Sequence, residues 1–194
     1  IIAIPCGLIG ARLYYVIFNW SYYSGNIYEI LNFRGGGMAI HGGLLGGVLA
    51  GYIYTKVKKL NFFKMADCVV LGIPLAQAIG RWGNYLNKEA HGGPTDLPWG
   101  IMVDGVKVHP TFLYESIWDL GVFIFLMLFR KKQKYEGQIL VYYITLYSIG
   151  RFFIEGLRTD SLMLGPLRMA QVISLGFILI GVILNYVLSR KNKR

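Results

Sequence analysis

The stretch from Met169 to Ser189, MAQVISLGFILIGVILNYVLS, contains no Asp, Glu, Lys or Arg, and a basic tail of Arg190, Lys191, Lys193 and Arg194 follows it. A helix crossing ~30 Å of hydrocarbon needs about 20 predominantly apolar residues, and this stretch supplies them. Five comparable stretches precede it, giving candidate spans at roughly 1–19, 38–55, 65–86, 111–129, 137–156 and 169–189. Each ends at a run containing charges, Gly, Pro or Asn. The expected fold class is therefore all-α: a polytopic transmembrane helical bundle with six spans.

Composition agrees with that class. Of the 194 residues 55% are hydrophobic and 15% charged, whereas soluble domains carry about 25% charged residues. Disorder is excluded, and two cysteines cannot make a disulfide-stapled secreted module. The alternating ten-residue strand patterns of a membrane barrel are absent. The first stretch has neither Met nor a basic leader, so it does not read as a signal peptide. The expectation is a fragment of a longer protein, with one more span upstream. No linker or low-complexity tract divides residues 1–194, which read as a single integral membrane domain.

The net charge of +10 reports orientation. Twelve of the twenty Lys and Arg fall in three places: Lys56, Lys58, Lys59 and Lys64; Arg130, Lys131, Lys132 and Lys134; and the C-terminal tail. These are alternate connections, which the positive-inside rule assigns to the cytoplasm. The opposite loops carry Arg34, Lys88, Lys107, Arg158 and Arg168. The basic excess is then a topology signal and an anionic-lipid anchor, and nucleic acid is not an expected partner. Trp20, Tyr22, Tyr23, Trp82, Tyr85 and Trp99 fall at the outer face, as an aromatic belt. Cys6 and Cys68 lie toward the cytoplasmic ends of their spans and read as small packing residues.

Arg12, Arg81 and Arg151 lie inside the candidate spans. A charge at mid-bilayer costs roughly 2.5–3.5 kcal/mol on insertion scales, so such residues face a cavity or a partner. Arg12 is served equally by snorkelling or by pairing with a helix neighbour. Around Arg81 the sequence is Gly80-Arg81-Trp82-Gly83-Asn84-Tyr85-Leu86-Asn87-Lys88-Glu89. Arg81 and Asn84 share a helix face, and the two glycines permit close backbone approach or local unwinding. In the fifth span Tyr147, Arg151, Glu155 and Arg158 form one stripe. Either an internal Arg151–Glu155 ion pair lowers the cost of burial, or the stripe is an anion-binding wall.

The second span opens with His41-Gly42-Gly43-Leu44-Leu45-Gly46-Gly47. Gly42 with Gly46, Gly43 with Gly47 and Gly47 with Gly51 make a close-packing seam. His41 sits near a helix N-terminus, which attracts anions, and its unperturbed pKa near 6.5 suits proton transfer. The fourth span opens with His109-Pro110-Thr111, where Pro110 fits a helix start and Thr111 or His109 can cap it. Glu115 and Asp119 share one face below. His41, Arg81, Asn84, Glu89, Glu115, Arg151 and Glu155 thus come from four spans, each in the outer half of its own. The expected result is a cationic cavity just below the outer surface, open to lipid, suited to an anionic phospholipid.

Gly80 to Glu89, His41-Gly42-Gly43-Leu44, His109-Pro110-Thr111 with Tyr114-Glu115, and Arg151-Phe152-Phe153-Ile154-Glu155 with Arg158 resemble, in order, four sequence blocks of the phosphatidylglycerol–prolipoprotein diacylglyceryl transferases. The resemblance covers nearly all 194 residues. It departs at the start, where the family has an upstream span and an N-terminal periplasmic arm, and at Lys88, where the family often has glycine. The resemblance implies an enzyme of the bacterial cytoplasmic membrane, and the loop charges and polar layer above set its expected C-terminus in the cytoplasm and its active site toward the outer leaflet. It implies transfer of the diacylglyceryl group of phosphatidylglycerol to the lipobox cysteine thiol of a preprolipoprotein signal peptide. A thioether forms, glycerol 1-phosphate leaves, and no cofactor or metal is expected.

That chemistry needs a deprotonated thiol and a stabilised leaving phosphate. Arg81 and Arg151 are the candidates for the phosphate, because guanidinium groups grip its oxygens bidentately. His41 is the candidate base, with Glu89, Tyr147 or the arginine field as alternatives, and Glu155 positions Arg151. Asn84, Glu89, Tyr147, Arg158, Gly83 and Asn87 are expected to line the substrate site, Asn84 at the headgroup. A transporter would carry polar groups on into the cytoplasmic half; here that half is almost bare, Asp67 being the main exception. Another lipid transferase would need a carboxylate metal cluster or a Ser/His pair, and neither is legible.

Overall fold

The computed structural model describes residues 2–33 and 35–191. Arg34, Lys193 and Arg194, counted above among the loop and tail charges, lie outside the described residues, as does the side chain of Lys191. The chain divides into two compact units between Met65 and Ala66.

The first unit holds α1 (Ala3–Phe18), two short helices α2 (Trp20–Tyr23) and α3 (Ile27–Leu31), and α4 (Ile40–Val57). Small residues set the packing of α1 on α4. A Cβ added at Gly10 would fall 2.5 Å from the Gly42 carbonyl oxygen, and one at Gly46 would fall 2.5 Å from that of Cys6. Backbones this close need glycine, so the expected Gly42–Gly46 seam is the tight one. Gly43 and Gly47 have room for a methyl, at 3.5 and 3.8 Å from their neighbours.

Arg12 neither snorkels nor pairs with an acid. It is 3% exposed, and its guanidinium donates to carbonyls of the following segment: Ile30 at 3.0 Å, Gly36 at 2.6 Å, Gly37 at 2.8 Å, and Glu29. Glu29 and Ile30 end the short helix α3, where orphan carbonyls favour a cation. The Tyr23 ring lies 5.0 Å from this guanidinium and is buried, unlike Trp20 and Tyr22 of the expected belt. Both cysteines are free, and Cys68 is exposed rather than packed.

The expected span 65–86 is two helices. α5 (Phe62–Val70) and α6 (Ile73–Leu86) meet at a 41° bend. Pro74 stands in the first turn of α6 and has no N–H to offer Val70, which breaks the ladder. α7 (Thr111–Phe129) continues into a 3-10 turn (Arg130–Lys132) and is followed by α8 (Gln138–Glu155) and α9 (Met169–Lys191). Two small antiparallel hairpins lie in the connections: β1 (Ile101–Val103) with β2 (Val106–Val108), and β3 (Met163–Leu164) with β4 (Leu167–Arg168). They fold back on turn glycines with positive φ, Gly105 and Gly165.

By length and composition Thr111–Lys132 and Met169–Arg190 can cross a membrane, with mean hydropathies of 1.7 and 2.3; the bent α5–α6 pair adds a third candidate. The helical, membrane-inserting character expected from the sequence is present.

The second unit has its core at Val70, Val122, Leu126 and Ile139. Asp67, buried in α5, caps α8 from outside: Oδ2 accepts from the Gly137 N–H at 2.6 Å and Oδ1 from the Leu140 N–H at 2.8 Å. The polar residue that stood out in the half expected to be cytoplasmic is thus satisfied by orphan donors of a helix start.

Candidate active site

Three helix ends of the second unit carry the charged residues. Arg81 lies in the last two turns of α6, Glu115 in the second turn of α7, and Arg151 and Glu155 in the last turns of α8. Antiparallel neighbours bring these ends to one side. Trp118 and Gly150 seat α7 on α8: an added Cβ at Gly150 would fall 2.2 Å from Trp118 Cδ1, and Trp118 Nε1 donates to the Leu146 carbonyl at 2.9 Å.

Glu115 is 4% exposed and contacts both arginines. Arg81 Nε lies 2.9 Å from Glu115 Oε2, an ion pair without hydrogen-bond alignment. Arg151 Nη1 donates to Glu115 Oε1. Arg151 Nη2 lies 2.7 Å from Glu155 Oε2, whose other oxygen accepts from the Ser161 hydroxyl. Arg158 Nε is 4.0 Å from Glu155 Oε2, and Arg158 pairs bidentately with Asp160 at 3.0 and 2.7 Å. The charges therefore alternate along one path: Arg81, Glu115, Arg151, Glu155, Arg158, Asp160. The internal Arg151–Glu155 ion pair expected of the stripe is present, and through Glu115 the pairing extends to Arg81 on another helix.

Arg81 Nη2 also donates to the Tyr147 hydroxyl at 3.4 Å, a long contact. Arg81, Glu115, Asp119, Tyr147 and Arg151 line a small cavity of about 10 Å³. Asp119, 2% exposed, leaves Oδ2 without a hydrogen-bond partner there. The guanidinium groups keep 20% of their side-chain surface open, so the cluster is reachable from one side.

Outside the spans, Arg158 and Asp160 hold each other charged. Burial works against the Arg158 charge, yet the hydrogen bonds to Asp160 and the nearby carboxylates hold its pKa above the usual value. The same hydrogen bonds hold the Asp160 carboxyl below the usual range, against a smaller opposing effect of burial. Arg168 ties this turn down by donating to the carbonyls of Gly156 at 2.8 Å and Arg158 at 2.6 Å.

A second strap crosses the same end. The Gly92 N–H donates to the His109 carbonyl and the Gly93 N–H to the Leu157 carbonyl, each at 3.0 Å. An added Cβ at Gly92 would fall 2.6 Å from His109 Cβ and 3.0 Å from the Leu157 oxygen. Thr111 Oγ1 donates to the Ala90 carbonyl, so Thr111 ties this strap and does not cap α7. His109 Nδ1 shares a proton with the Tyr114 hydroxyl at 3.3 Å, and it does not cap the helix either.

Of the residues singled out in the sequence, Arg81, Glu115, Tyr147, Arg151, Glu155 and Arg158 come together. Gly83, Asn84, Asn87 and Glu89 occupy the end of α6 and the turn after it, outside the ion-pair path. Glu89 accepts from Asn87 Nδ2 at 3.1 Å, and its N–H donates to the Asn84 carbonyl at 3.0 Å. The helix does not unwind at Gly80 or Gly83, and an added Cβ at either would meet nothing within 4 Å. These glycines leave open space beside Arg81 instead of admitting another backbone. Lys88 adopts φ 55°, a left-handed conformation that glycine takes without strain. His41 belongs to the first unit, where it is exposed in the first turn of α4 with its ring 6.4 Å from that of Tyr14.

Glu115 was legible as one of the polar residues expected in the outer cavity, without a role of its own. Its bridging role depends on how α6, α7 and α8 pack, which no local pattern carries.

The family description "Prolipoprotein diacylglyceryl transferase" matches residues 1–187. A protein of Clostridioides difficile (strain 630) named phosphatidylglycerol–prolipoprotein diacylglyceryl transferase is 77% identical over 193 residues, covering 100% of this chain and 78% of that protein. Proteins of the same name from Finegoldia magna and Clostridium novyi are each 55% identical. They cover 94% and 100% of this chain and 74% and 79% of their own lengths.

Proposed function

The chain belongs to the prolipoprotein diacylglyceryl transferase family, and from that premise we propose that Arg81 and Arg151 seat the phosphate of phosphatidylglycerol during transfer. The enzyme carries out the first step of lipoprotein maturation, with phosphatidylglycerol as the lipid donor. The acceptor is the lipobox cysteine in the signal peptide of a preprolipoprotein. Its thiolate sulfur attacks the glycerol carbon that bears the phosphate. The S–C bond forms, the C–O bond breaks, and the phosphate departs with the electron pair as glycerol 1-phosphate.

Negative charge grows on the departing oxygen. Two guanidinium groups brought to one place by their shared carboxylate are the N–H donors that stabilise that charge. Loss of one donor is worth on the order of 3 kcal/mol, about a hundredfold in rate. The single observation that supports this reading is that arginines from α6 and α8 meet over one buried carboxylate, Glu115. Glu155 positions Arg151 through their 2.7 Å contact. Tyr147 and Arg158 flank the pair. Asn84 takes the headgroup, and Gly83, Asn87 and Glu89 line the entrance. His41 accepts the thiol proton, and no cofactor or metal takes part.

The membrane arrangement proposed is one domain of six spans in the bacterial cytoplasmic membrane. Loop charge supports it: the basic connections and tail lie on the cytoplasmic side, the C-terminus with them, and the site opens toward the outer leaflet. On this reading the chain's basic surface meets anionic lipid and not nucleic acid.

The test uses membranes, a lipobox peptide and phosphatidylglycerol labelled separately in its acyl chains and its headgroup. Acyl label on the peptide with headgroup label released as glycerol phosphate is the expected result. Lipid movement without covalent product would support a transporter and contradict the proposal.

A further inference from the structure

Glu115 holds both arginines in the place where a lipid phosphate would have to bind. Its two oxygens take one guanidinium each, as two oxygens of a phosphate would. The cavity beside it is small, about 10 Å³, and Glu115 already engages a nitrogen of each guanidinium that a phosphate would need. Charge points the same way. Three guanidiniums, Arg81, Arg151 and Arg158, meet four acidic side chains, Glu115, Glu155, Asp160 and, in the same cavity, Asp119. The arginines are already matched by acids, and an incoming anion gains them by displacing one. Glu155 is held by Arg151, Arg158 and Ser161, and Asp160 pairs with Arg158 alone. Glu115 is the one acid that spans both proposed phosphate ligands.

We infer that Glu115 is an exchangeable stand-in for the phosphate. It keeps Arg81 and Arg151 aligned between turnovers, yields them to the lipid phosphate, and retakes them as glycerol 1-phosphate departs. It is a positioning residue that acts through the arginines. This rests on the phosphate seat proposed above and adds that binding there is a competition, with product release driven by the returning carboxylate. A plain brace would make the opposite demand, since losing it would loosen the arginines and weaken phosphate binding.

The experiment measures binding of glycerol 1-phosphate to the purified full-length enzyme, together with kcat and KM for phosphatidylglycerol, in wild type, Glu115→Gln and Glu115→Asp. The amide removes the competing charge, and the shorter acid cannot span both guanidiniums. Expected is tenfold or more tighter binding of glycerol 1-phosphate in Glu115→Gln and a smaller gain in Glu115→Asp. With it, kcat falls while KM does not rise. Unchanged or weaker binding in both variants, with transfer by the wild type intact, overturns the inference alone. No transfer by the wild type overturns the phosphate seat and the inference with it. If neither variant folds, infrared difference spectra of the wild type decide. A shift of a carboxylate band on adding glycerol 1-phosphate supports exchange, and no shift overturns it.

Discussion

Gly150 and Trp118 touch so closely that a single added carbon on the glycine would lie 2.2 Å from the indole ring. The indole cannot turn away without losing its 2.9 Å hydrogen bond to the Leu146 carbonyl. This contact sets the spacing of α7 and α8 directly beside the Glu115–Arg151 pair. Gly150→Ala is therefore expected to cost about 1–3 kcal/mol through overpacking and to pull Glu115 away from Arg151. A lower Tm together with a loss of lipid transfer would bear this out; wild-type values for both would show that the helices give way freely.

The guanidinium fork matters more than its charge. Arg81→Lys and Arg151→Lys keep the positive charge but replace a planar fork with a point charge. Each is expected to slow transfer about a hundredfold, equivalent to roughly 3 kcal/mol of transition-state stabilisation. Peptide binding should change little. The check is single-turnover transfer from labelled phosphatidylglycerol.

Gly92 leaves no room for a side chain, because His109 Cβ and the Leu157 carbonyl both press on it. Gly92→Ala should open the strap that joins residues 92–93 to His109 and Leu157. Faster amide exchange is expected across both partners, with a fall in activity. Exchange confined to the substituted residue would contradict the strap.

Asp67 stabilises the start of α8 through the Gly137 and Leu140 N–H groups. Removing such a cap costs typically about 1 kcal/mol, up to about 2. Asp67→Ala should lower the unfolding free energy by that amount or more, read from denaturation curves, since the side chain is buried. The folded fraction should keep its turnover number, because the cap is at the end of α8 away from Arg151.

How much of this was legible in the sequence varies with the physical range of each interaction. Local hydrophobic runs located the helices, and α7 and α9 start at the residues the runs gave, Thr111 and Met169. The break before Pro74 was equally local, but it was hidden inside a continuous apolar run. Arg81, Arg151 and Glu155 stood out because charge is costly in a membrane. Their shared partner Glu115 was placed in the same polar layer, but its bridging of the two arginines was not legible, since an acid near a helix start is an ordinary helix feature. Arg12 misled for a related reason: its partners are backbone carbonyls of Glu29, Ile30, Gly36 and Gly37, which leave no mark in a residue pattern. The glycines at 80 and 83 were read as close contacts, and their open surroundings come from the packing of other elements.

The Arg158–Asp160 pair should be insensitive to pH in the physiological range. Hydrogen bonds from Arg158 hold the Asp160 pKa below its ordinary 3.8. A carboxyl with a depressed folded pKa stabilises fully above its unfolded pKa and loses that contribution as pH falls through the folded value. The window therefore lies below about pH 4. Amide exchange over residues 157–168, corrected for intrinsic rates, should show constant protection from pH 8 to pH 5. A loss of protection within that range would contradict the pairing.

The most direct measurement is the distance from the phosphorus of bound phosphatidylglycerol to the side-chain nitrogens of Arg81 and Arg151. Dipolar recoupling in the membrane-embedded enzyme, labelled with ¹⁵N-arginine and assigned by Arg→Lys substitution, reads it. Charge-assisted N–H···O contacts of ~2.8 Å would place both guanidiniums within about 4 Å of phosphorus. Contact with both arginines is the expected result. Phosphorus coupled to neither would contradict the seat built from these two residues.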